Sequence, residues 1–376
     1  MRHALLQKLR SLAEQRNTCG IVVSTEASIF YFTGFRGPGY LVYRVADGSF
    51  TLLVPALEFL RAKKALAEEA LDDYLDIVAF TPYGLPGGRA LDATDDYRLV
   101  TGRASDIISS MFQNGCKLLV ETDSITLVKK LEKAFTVEDV SETVEDMRAT
   151  KEPWEVERIE VATEIAEAAL NTAISNLEAG ISEAEIAAII EYEMRRRGAI
   201  DHAFPTIVAF GENTVYPHAE PSSRRILGYK PQPVLIDLGA IYKGYCSDIT
   251  RTLMDGATTE FRRVAEAVHE AVYTAIDAIR PGASAHEVYE VARRVLASNG
   301  LDKYFIHSLG HGVGIEVHEK PRISYKNEIE LREGMVVTIE PGVYIPGKFG
   351  VRIEELVLVT RSGAKVLSRF PSILWY

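Results

Sequence analysis

Two aspartates, Asp237 and Asp248, stand inside apolar β-type runs in the stretch LIDLGAIYKGYCSDITRT, residues 235–252. Between them Tyr242-Lys243-Gly244 reads as a tight turn, with glycine where a positive φ is easiest. Folded as a hairpin, the stretch brings the two carboxylates opposite each other or within one residue of it. Two carboxylates side by side among Leu235, Ile236, Leu238 and Ile249 repel each other and lose their hydration, unless a cation sits between them. The chemistry this implies is metal binding. The plainer alternative, a solvated hairpin face with two capping aspartates, fits one such aspartate better than two.

The same pattern recurs downstream. Gly180 and Gly282, Ser182 and Ser284, Glu185 and Glu287, and Gly198 and Gly300 share an offset of 102 residues. Each set reads as a loop glycine, a Ser-x-x-Glu capping box, an amphipathic helix and a glycine cap. His218-Ala-Glu-Pro221 recurs as His318-Glu-Lys-Pro321. LIDLGAIY, with Asp237, aligns with VVTIEPGVYI, with Glu340, and YCSDITR, with Asp248, aligns with VRIEELV, with Glu354. Two halves related by a pseudo-twofold axis bring four carboxylates to one centre. Four carboxylates and an imidazole suit a pair of hard or borderline divalent cations, Mn²⁺, Co²⁺ or Zn²⁺. Such a pair can activate a water and clamp an oxyanion. Arg352, close to Glu354, is placed to offset the surplus negative charge.

Seven of the eight histidines fall between residues 202 and 318. His311 lies in Gly310-His-Gly-Val-Gly, a poor core environment for imidazole and a good one for ligation. His218 and His318 occupy equivalent repeat positions and could donate hydrogen bonds to a substrate carbonyl. His307 is open between a structural and a substrate-contacting role. His202, His269 and His286 receive none.

The elements that must position these groups fall into two parts. Residues 2–16 pattern as a surface helix. Residues 20–24, 29–35, 40–45, 49–55, 74–80 and 117–121 read as strands, and 57–70, 103–113 and 125–134 as helices. TPYGLPGGRALD, residues 81–92, is a loop. No ligand-like cluster occurs in this α/β unit, which reads as a scaffold, gating or dimer domain. Residues 136–150 are polar and patternless, and the boundary is placed there, giving domains 1–140 and 141–376. Lys151-Glu152-Pro153 then opens a long helix with proline in its first turn. The net charge of −11 argues against a nucleic-acid partner. No apolar run is long enough to span a membrane, and the N-terminus lacks the apolar core of a signal peptide. Cys19, Cys116 and Cys246 form no disulfide or metal pattern and read as small core residues in a reducing, cytoplasmic setting.

Taken together, FPTIVAFGENTVYPH, DLGAIYKGYCSDITRT, GHGVGIEVHEKPRIS and GMVVTIEPGVYIPGKFGVRIEE resemble the pita-bread metallopeptidase family. That family includes Xaa-Pro dipeptidase (prolidase), aminopeptidase P, methionine aminopeptidase and creatinase. The resemblance implies an α/β (α+β) protein, with a creatinase-like N-terminal domain and a pita-bread catalytic domain built on the internal repeat. It also implies a homodimer, a small-peptide substrate and two divalent metal ions. By resemblance, Asp237 chelates one metal, Asp248 and Glu354 bridge the pair, His311 completes the first site and Glu340 the second. Glu340 also exchanges protons with the attacking water, and His218 and His318 hold the scissile carbonyl and its oxyanion. Phe204 and Val317 resemble walls of a proline-ring pocket, His307 a substrate neighbour, Arg322 a position near the substrate C-terminus, and Tyr344 and Arg352 supports for the acids. Phe210, Thr214 and Tyr216 are bulkier than the family pattern beside the pocket.

A bond preceding proline is a tertiary amide without an N–H, so a peptidase that relies on that donor cannot use it. The expected activity is hydrolysis of Xaa-Pro bonds, in dipeptides (prolidase) or alternatively in longer peptides (aminopeptidase P). A non-catalytic binding protein on the same fold is the rival of another class, and its expected sign, loss of ligands, is absent.

Overall fold

The computed structural model describes residues 2–83, 98–228 and 230–375. Most of the expected loop at 81–92 lies outside these. The chain forms two compact units, 1–145 and 146–376.

In the first unit one seven-stranded sheet runs in the order β5-β4-β3-β2-β1-β6-β7. Its strands are β1 (Gly20–Val23), β2 (Tyr40–Arg44), β3 (Ser49–Pro55), β4 (Leu75–Thr81), β5 (Leu99–Thr101), β6 (Lys117–Glu121) and β7 (Thr136–Asp139). β1–β2 and β2–β3 pair antiparallel, and the remaining pairs are parallel. The helices are α1 (His3–Gln15), α2 (Glu26–Thr33), α3 (Phe59–Glu68), α4 (Ala104–Ser110) and α5 (Ile125–Leu131), with α6 (Ser141–Ala149) running across the boundary between the units.

Three expectations fail here. IFYFTGF is not a strand but most of α2. Thr25 caps it by accepting from Ser28 N, and Gly34 ends it at φ 76° with its N–H on Phe30 O. Ser28 to Thr33 are all buried, so no polar face exists to show the helical period. The stretch 136–150 is not patternless coil but β7 and α6. β7 is a sheet edge with little burial, and an edge strand shows weak apolar alternation. Finally, Cys19 and Cys116 are joined in a disulfide. They precede β1 and β6, neighbouring parallel strands, so sheet register brings together two cysteines 97 residues apart, which spacing alone does not reveal. Cys246 is buried and outside the disulfide.

The second unit is built twice over. Helices α7 (Pro153–Ser175) and α8 (Glu183–Arg196) cover β8 (Asp201–His202), β9 (Ile207–Phe210), β10 (Val234–Leu238), β11 (Ala240–Tyr242), β12 (Tyr245–Cys246) and β13 (Ile249–Met254). Helices α9 (Thr259–Ala278) and α10 (Ala285–Ser298) cover β14 (Gly310–Gly312), β15 (Glu319–Ile323), β16 (Val336–Ile339), β17 (Gly342–Ile345), β18 (Phe349–Arg352), β19 (Glu355–Thr360) and β20 (Gly363–Val366). A last strand, β21 (Leu374–Trp375), pairs with β13. α7 starts with proline in its first turn, as expected. Ser182 and Glu185 form a complete capping box on α8. In the second copy only half of it forms: Ser284 accepts from Glu287 N at 3.0 Å, while the Glu287 carboxylate turns to Arg280 at 3.3 Å. Two apolar clusters, one per half, hold the helices on the sheets, with Ile236 and Phe210 in the first and Phe261 and Ile339 in the second, all fully buried. The halves meet side by side: Glu354 N donates to Thr250 O at 3.1 Å, and Thr252 Oγ1 both accepts from Arg352 N and donates to Arg352 O.

Candidate metal centre

Each half ends in one antiparallel ribbon, and the acids lie where that ribbon is interrupted. Asp237 faces Thr250 across β10–β13, and β11–β12 then closes on Lys243 and Gly244, with φ of 46° and 84°. Two positive φ values in a two-residue loop make the type I′ hairpin turn expected of this stretch. Asp248 lies two residues before Thr250, so the aspartates are offset by two positions, not by none or one as expected. An even offset keeps both on the same face, whereas an offset of one would have separated them. In the other half Ile339 faces Glu355, which leaves Glu340 and Glu354 as the next opposed pair, beyond the strand ends.

At the junction Asp248, His311 and Glu354 each offer a ligand atom, all within 4.8 Å of one another. His311 Nε2 is 3.3 Å from Glu340 Oε1 and 3.7 Å from Asp248 Oδ2. Its Nδ1 lies 3.2 Å from Gly312 O, a carbonyl that can only accept. The ring proton therefore belongs on Nδ1, and the Nε2 lone pair points at carboxylate oxygens. Acceptor facing acceptor at this range needs a cation or a further proton. Asp237 Oδ2 accepts from Arg352 Nη2 at 2.6 Å, while Asp237 Oδ1 and Asp248 Oδ1 are buried without a partner. Orphaned buried carboxylate oxygens beside an imidazole lone pair fit divalent metal ions.

The electrostatics agree. Burial, and then the charge of Glu354, Asp237 and Glu340, push the Asp248 carboxyl well above its ordinary range. Glu354 is raised well above its own by burial and by Glu340 and Asp237. Asp237 is raised by burial, although Arg352 works against the rise. Burial also pushes Glu340 upward, but without metal a His311 that carries a further proton and donates to it, with help from His307 and Arg352, outweighs burial and leaves the carboxyl below the usual value. The four carboxylates face one guanidinium, that of Arg352. Its Nη1 donates to Tyr344 OH at 2.8 Å and to Pro217 O at 3.1 Å, and its Nε to Thr250 Oγ1 at 3.1 Å. Burial raises Tyr344 to about 12, so its phenol stays protonated.

Of the other expected site residues, His318 and His307 lie beside this centre. The rings of His318 and His311 meet edge-on at 4.3 Å. Partial burial and the neighbouring His311 lower the His318 pKa. Arg322 is opposite His311 in the β14–β15 pairing, so both side chains leave the same face. His307 is tied by Nδ1 to Ser308 O at 2.7 Å and by Nε2 to Tyr344 OH at 3.1 Å, and burial lowers its pKa. Val317 is half-buried beside His318. His218 is exposed in the segment after β9. Phe204 is half-buried against Gly239, where a Cβ would come within 2.9 Å of the Phe204 ring and 2.1 Å of Ser247 O. Of the bulky residues expected beside the pocket, Phe210 is instead fully buried under α8. Thr214 Oγ1 accepts from Gly350 N at 2.8 Å, and Tyr216 is exposed.

Two threonines join the centre that the sequence motifs alone did not single out. Thr250 Oγ1 donates to Glu354 Oε2 at 2.8 Å. Thr338 Oγ1 accepts from His311 N at 3.2 Å and lies 3.5 Å from Glu340 Oε1. Each stands two residues from an acid, Thr250 after Asp248 and Thr338 before Glu340, and strand periodicity puts such neighbours on the same face. That signal was present in the sequence.

The chain belongs to metallopeptidase family M24, which it matches over residues 157–361, and residues 6–150 match the creatinase/prolidase N-terminal domain. It is thus a pita-bread metallopeptidase preceded by a creatinase-type domain. Among its relatives, the Xaa-Pro dipeptidase of Pyrococcus furiosus is 38% identical over 97% of both chains. The prolidase of Pyrococcus horikoshii OT3 superposes with a TM-score of 0.82 at 34% identity, covering 97% of this chain and 98% of that one. The X-Pro aminopeptidase of Thermotoga maritima superposes with a TM-score of 0.79 at 29% identity, covering 96% and 98%. No helix among the described residues is long and apolar enough to cross a membrane.

Proposed function

We propose that this chain is a dinuclear metal-dependent exopeptidase that hydrolyses Xaa-Pro dipeptides. One observation carries the reading: buried carboxylates with two orphaned oxygens converge with the His311 lone pair, in a chain alike over nearly its full length to Xaa-Pro dipeptidases. Asp237, Asp248, His311, Glu340 and Glu354 hold the metals, Mn²⁺ or Co²⁺ by preference and Zn²⁺ as a third candidate. Bound there, two divalent cations supply Lewis acidity, which lowers the pKa of a water and polarises the scissile carbonyl.

The rest is done by side chains. Glu340 takes the proton of the attacking water. His218 and His318 donate to the carbonyl oxygen and stabilise the charge that develops on it. Phe204 and Val317 bracket the proline ring, with His307 beside them. Arg322 meets the substrate carboxylate. Tyr344 and Arg352 hold Asp237 in place. The protein works as a homodimer, and the Cys19–Cys116 disulfide removes the cysteine argument for a reducing compartment. The domains divide at about residue 140, and the N-terminal one gates or assembles.

Turnover of Ala-Pro and Ala-Pro-Ala by apo-protein reloaded with each metal tests the proposal. Faster cleavage of the dipeptide is expected. Preference for the tripeptide would reassign the chain to the aminopeptidase P type, and no activity with any metal would leave a binding protein.

A further inference from the structure

His218 and His318 are related by the repeat and both sit on loops, so something must hold those loops in place. In each half a buried carboxylate contributes to this, but from different places in the chain. Glu183, fully buried in the first turn of α8, accepts from Phe210 N at 2.8 Å, Asn213 Nδ2 at 3.0 and 3.1 Å, and Ser222 N at 3.0 Å, and Ser222 Oγ also donates to it. Phe210 ends β9 and Ser222 follows His218 in the segment beyond it, so one carboxylate pins the chain on both sides of that histidine. Glu319 folds back over the turn that carries Val317 and His318. It accepts from Ile315 N at 3.0 Å and Glu316 N at 3.2 Å, and from Arg148 at 2.6 Å and Lys151 at 3.0 Å. A Cβ at Gly314 would lie 2.4 Å from Glu319 Oε2, so a side chain there would displace the carboxylate.

The repeat shows how the two arrangements complement each other. The counterpart of Glu183 in the second copy is Ala285, and the counterpart of Glu319 in the first is Ala219. Each half thus has glutamate at one of two positions and alanine at the other. A merely decorative glutamate would not need that exchange. A buried carboxylate is costly unless its lone pairs are met. Here they are met by the backbone and side chains of the loop to be held, or by those and two cations.

We propose that Glu183 and Glu319 are positioning residues, each fixing the loop that presents one of the two equivalent histidines. The assignment rests on the reading that His218 and His318 hold the substrate carbonyl. A loop fixed before binding spares its ordering cost in the complex, and a displacement of about 1 Å can lower a rate about 100-fold.

The test uses the full-length, metal-loaded protein with Glu183→Gln and Glu319→Gln. Amide exchange should accelerate in residues 211–221 for the first and 315–318 for the second, each in its own loop. Metal content should match that of the unmutated protein, and kcat/KM for Ala-Pro should fall about 10- to 100-fold. In a His318→Ala background, Glu319→Gln should cost no further activity, and likewise Glu183→Gln in His218→Ala. Should Glu183→Gln fail to fold, Ser222→Ala removes one tie alone and should loosen the same loop. Unchanged exchange in the cognate loop, or an undiminished cost in the histidine-free background, would overturn the proposal. If both histidine variants kept full turnover, the substrate-holding reading would fall, and the exchange data alone would still decide the positioning role.

Discussion

Asp248 and Asp237 each leave one buried oxygen unpartnered, and this sets what their replacement should do. Asp248→Asn or Asp237→Asn should abolish turnover mainly through loss of metal, read by elemental analysis of dialysed protein. A fully metallated, fully active variant would contradict the assignment. Thr250 acts one step further out. Thr250→Val removes its donor to Glu354 Oε2 and its acceptor for Arg352 Nε. Supports of metal ligands are worth about 10- to 100-fold in affinity, so metal titration of the valine variant should show a loss of that size. The native fold should persist, because valine keeps the shape.

At the scale of the element, the clearest pH dependence lies in the turn that follows β14. Burial pushes the Glu319 carboxyl up, but Lys151 and Arg148 outweigh it and hold it at about 2. A carboxyl lower in the folded state than in the unfolded one stabilises above its unfolded pKa. That stability disappears as pH falls from about 4.5 towards 2. Each tenfold difference in proton affinity between the two states is worth about 1.4 kcal/mol, so about 3 kcal/mol should be lost across that window in denaturant melts. Glu319→Gln should flatten the dependence. In the metal-free protein the raised carboxyls of Asp248 and Glu354 act in the opposite sense. There the folded state holds protons more tightly, so stability should rise as pH falls from neutral towards the ordinary carboxyl range, and a metal-loaded sample should lack that rise.

Over the whole molecule the two units should respond to different agents. Removing metal from the second unit uncovers its carboxylate repulsion. Metal at 100 times its Kd stabilises by about 2.7 kcal/mol, so a chelator should lower the Tm of the transition belonging to 146–376. Reducing the Cys19–Cys116 bond should instead loosen the first unit. A disulfide closing so long a loop contributes about 2–4 kcal/mol, and metal content should not change. Two-transition calorimetry with chelator and with reductant would separate these effects.

The site was largely legible because its signals are short-range and repeated. Acids inside apolar strands are conspicuous, and the duplication of Asp237 and Asp248 as Glu340 and Glu354 showed that one hairpin is half of a centre. Strand periodicity would have reached Thr250 and Thr338 as well. Helix α2 was not legible, since a helix buried all round shows no period. The disulfide was not, since only the β1–β6 register brings its cysteines together. Nor were the ties of Glu183 and Glu319, which depend on which backbone N–H groups a folded loop points inward. The sequence by itself determined which residue types gather at the centre, because the carboxylates and imidazole are written into the strands. Only the tertiary structure decided which oxygens are left without a partner, which face Arg352 and which hold a loop, because that depends on distances of a few ångströms between segments far apart in the chain.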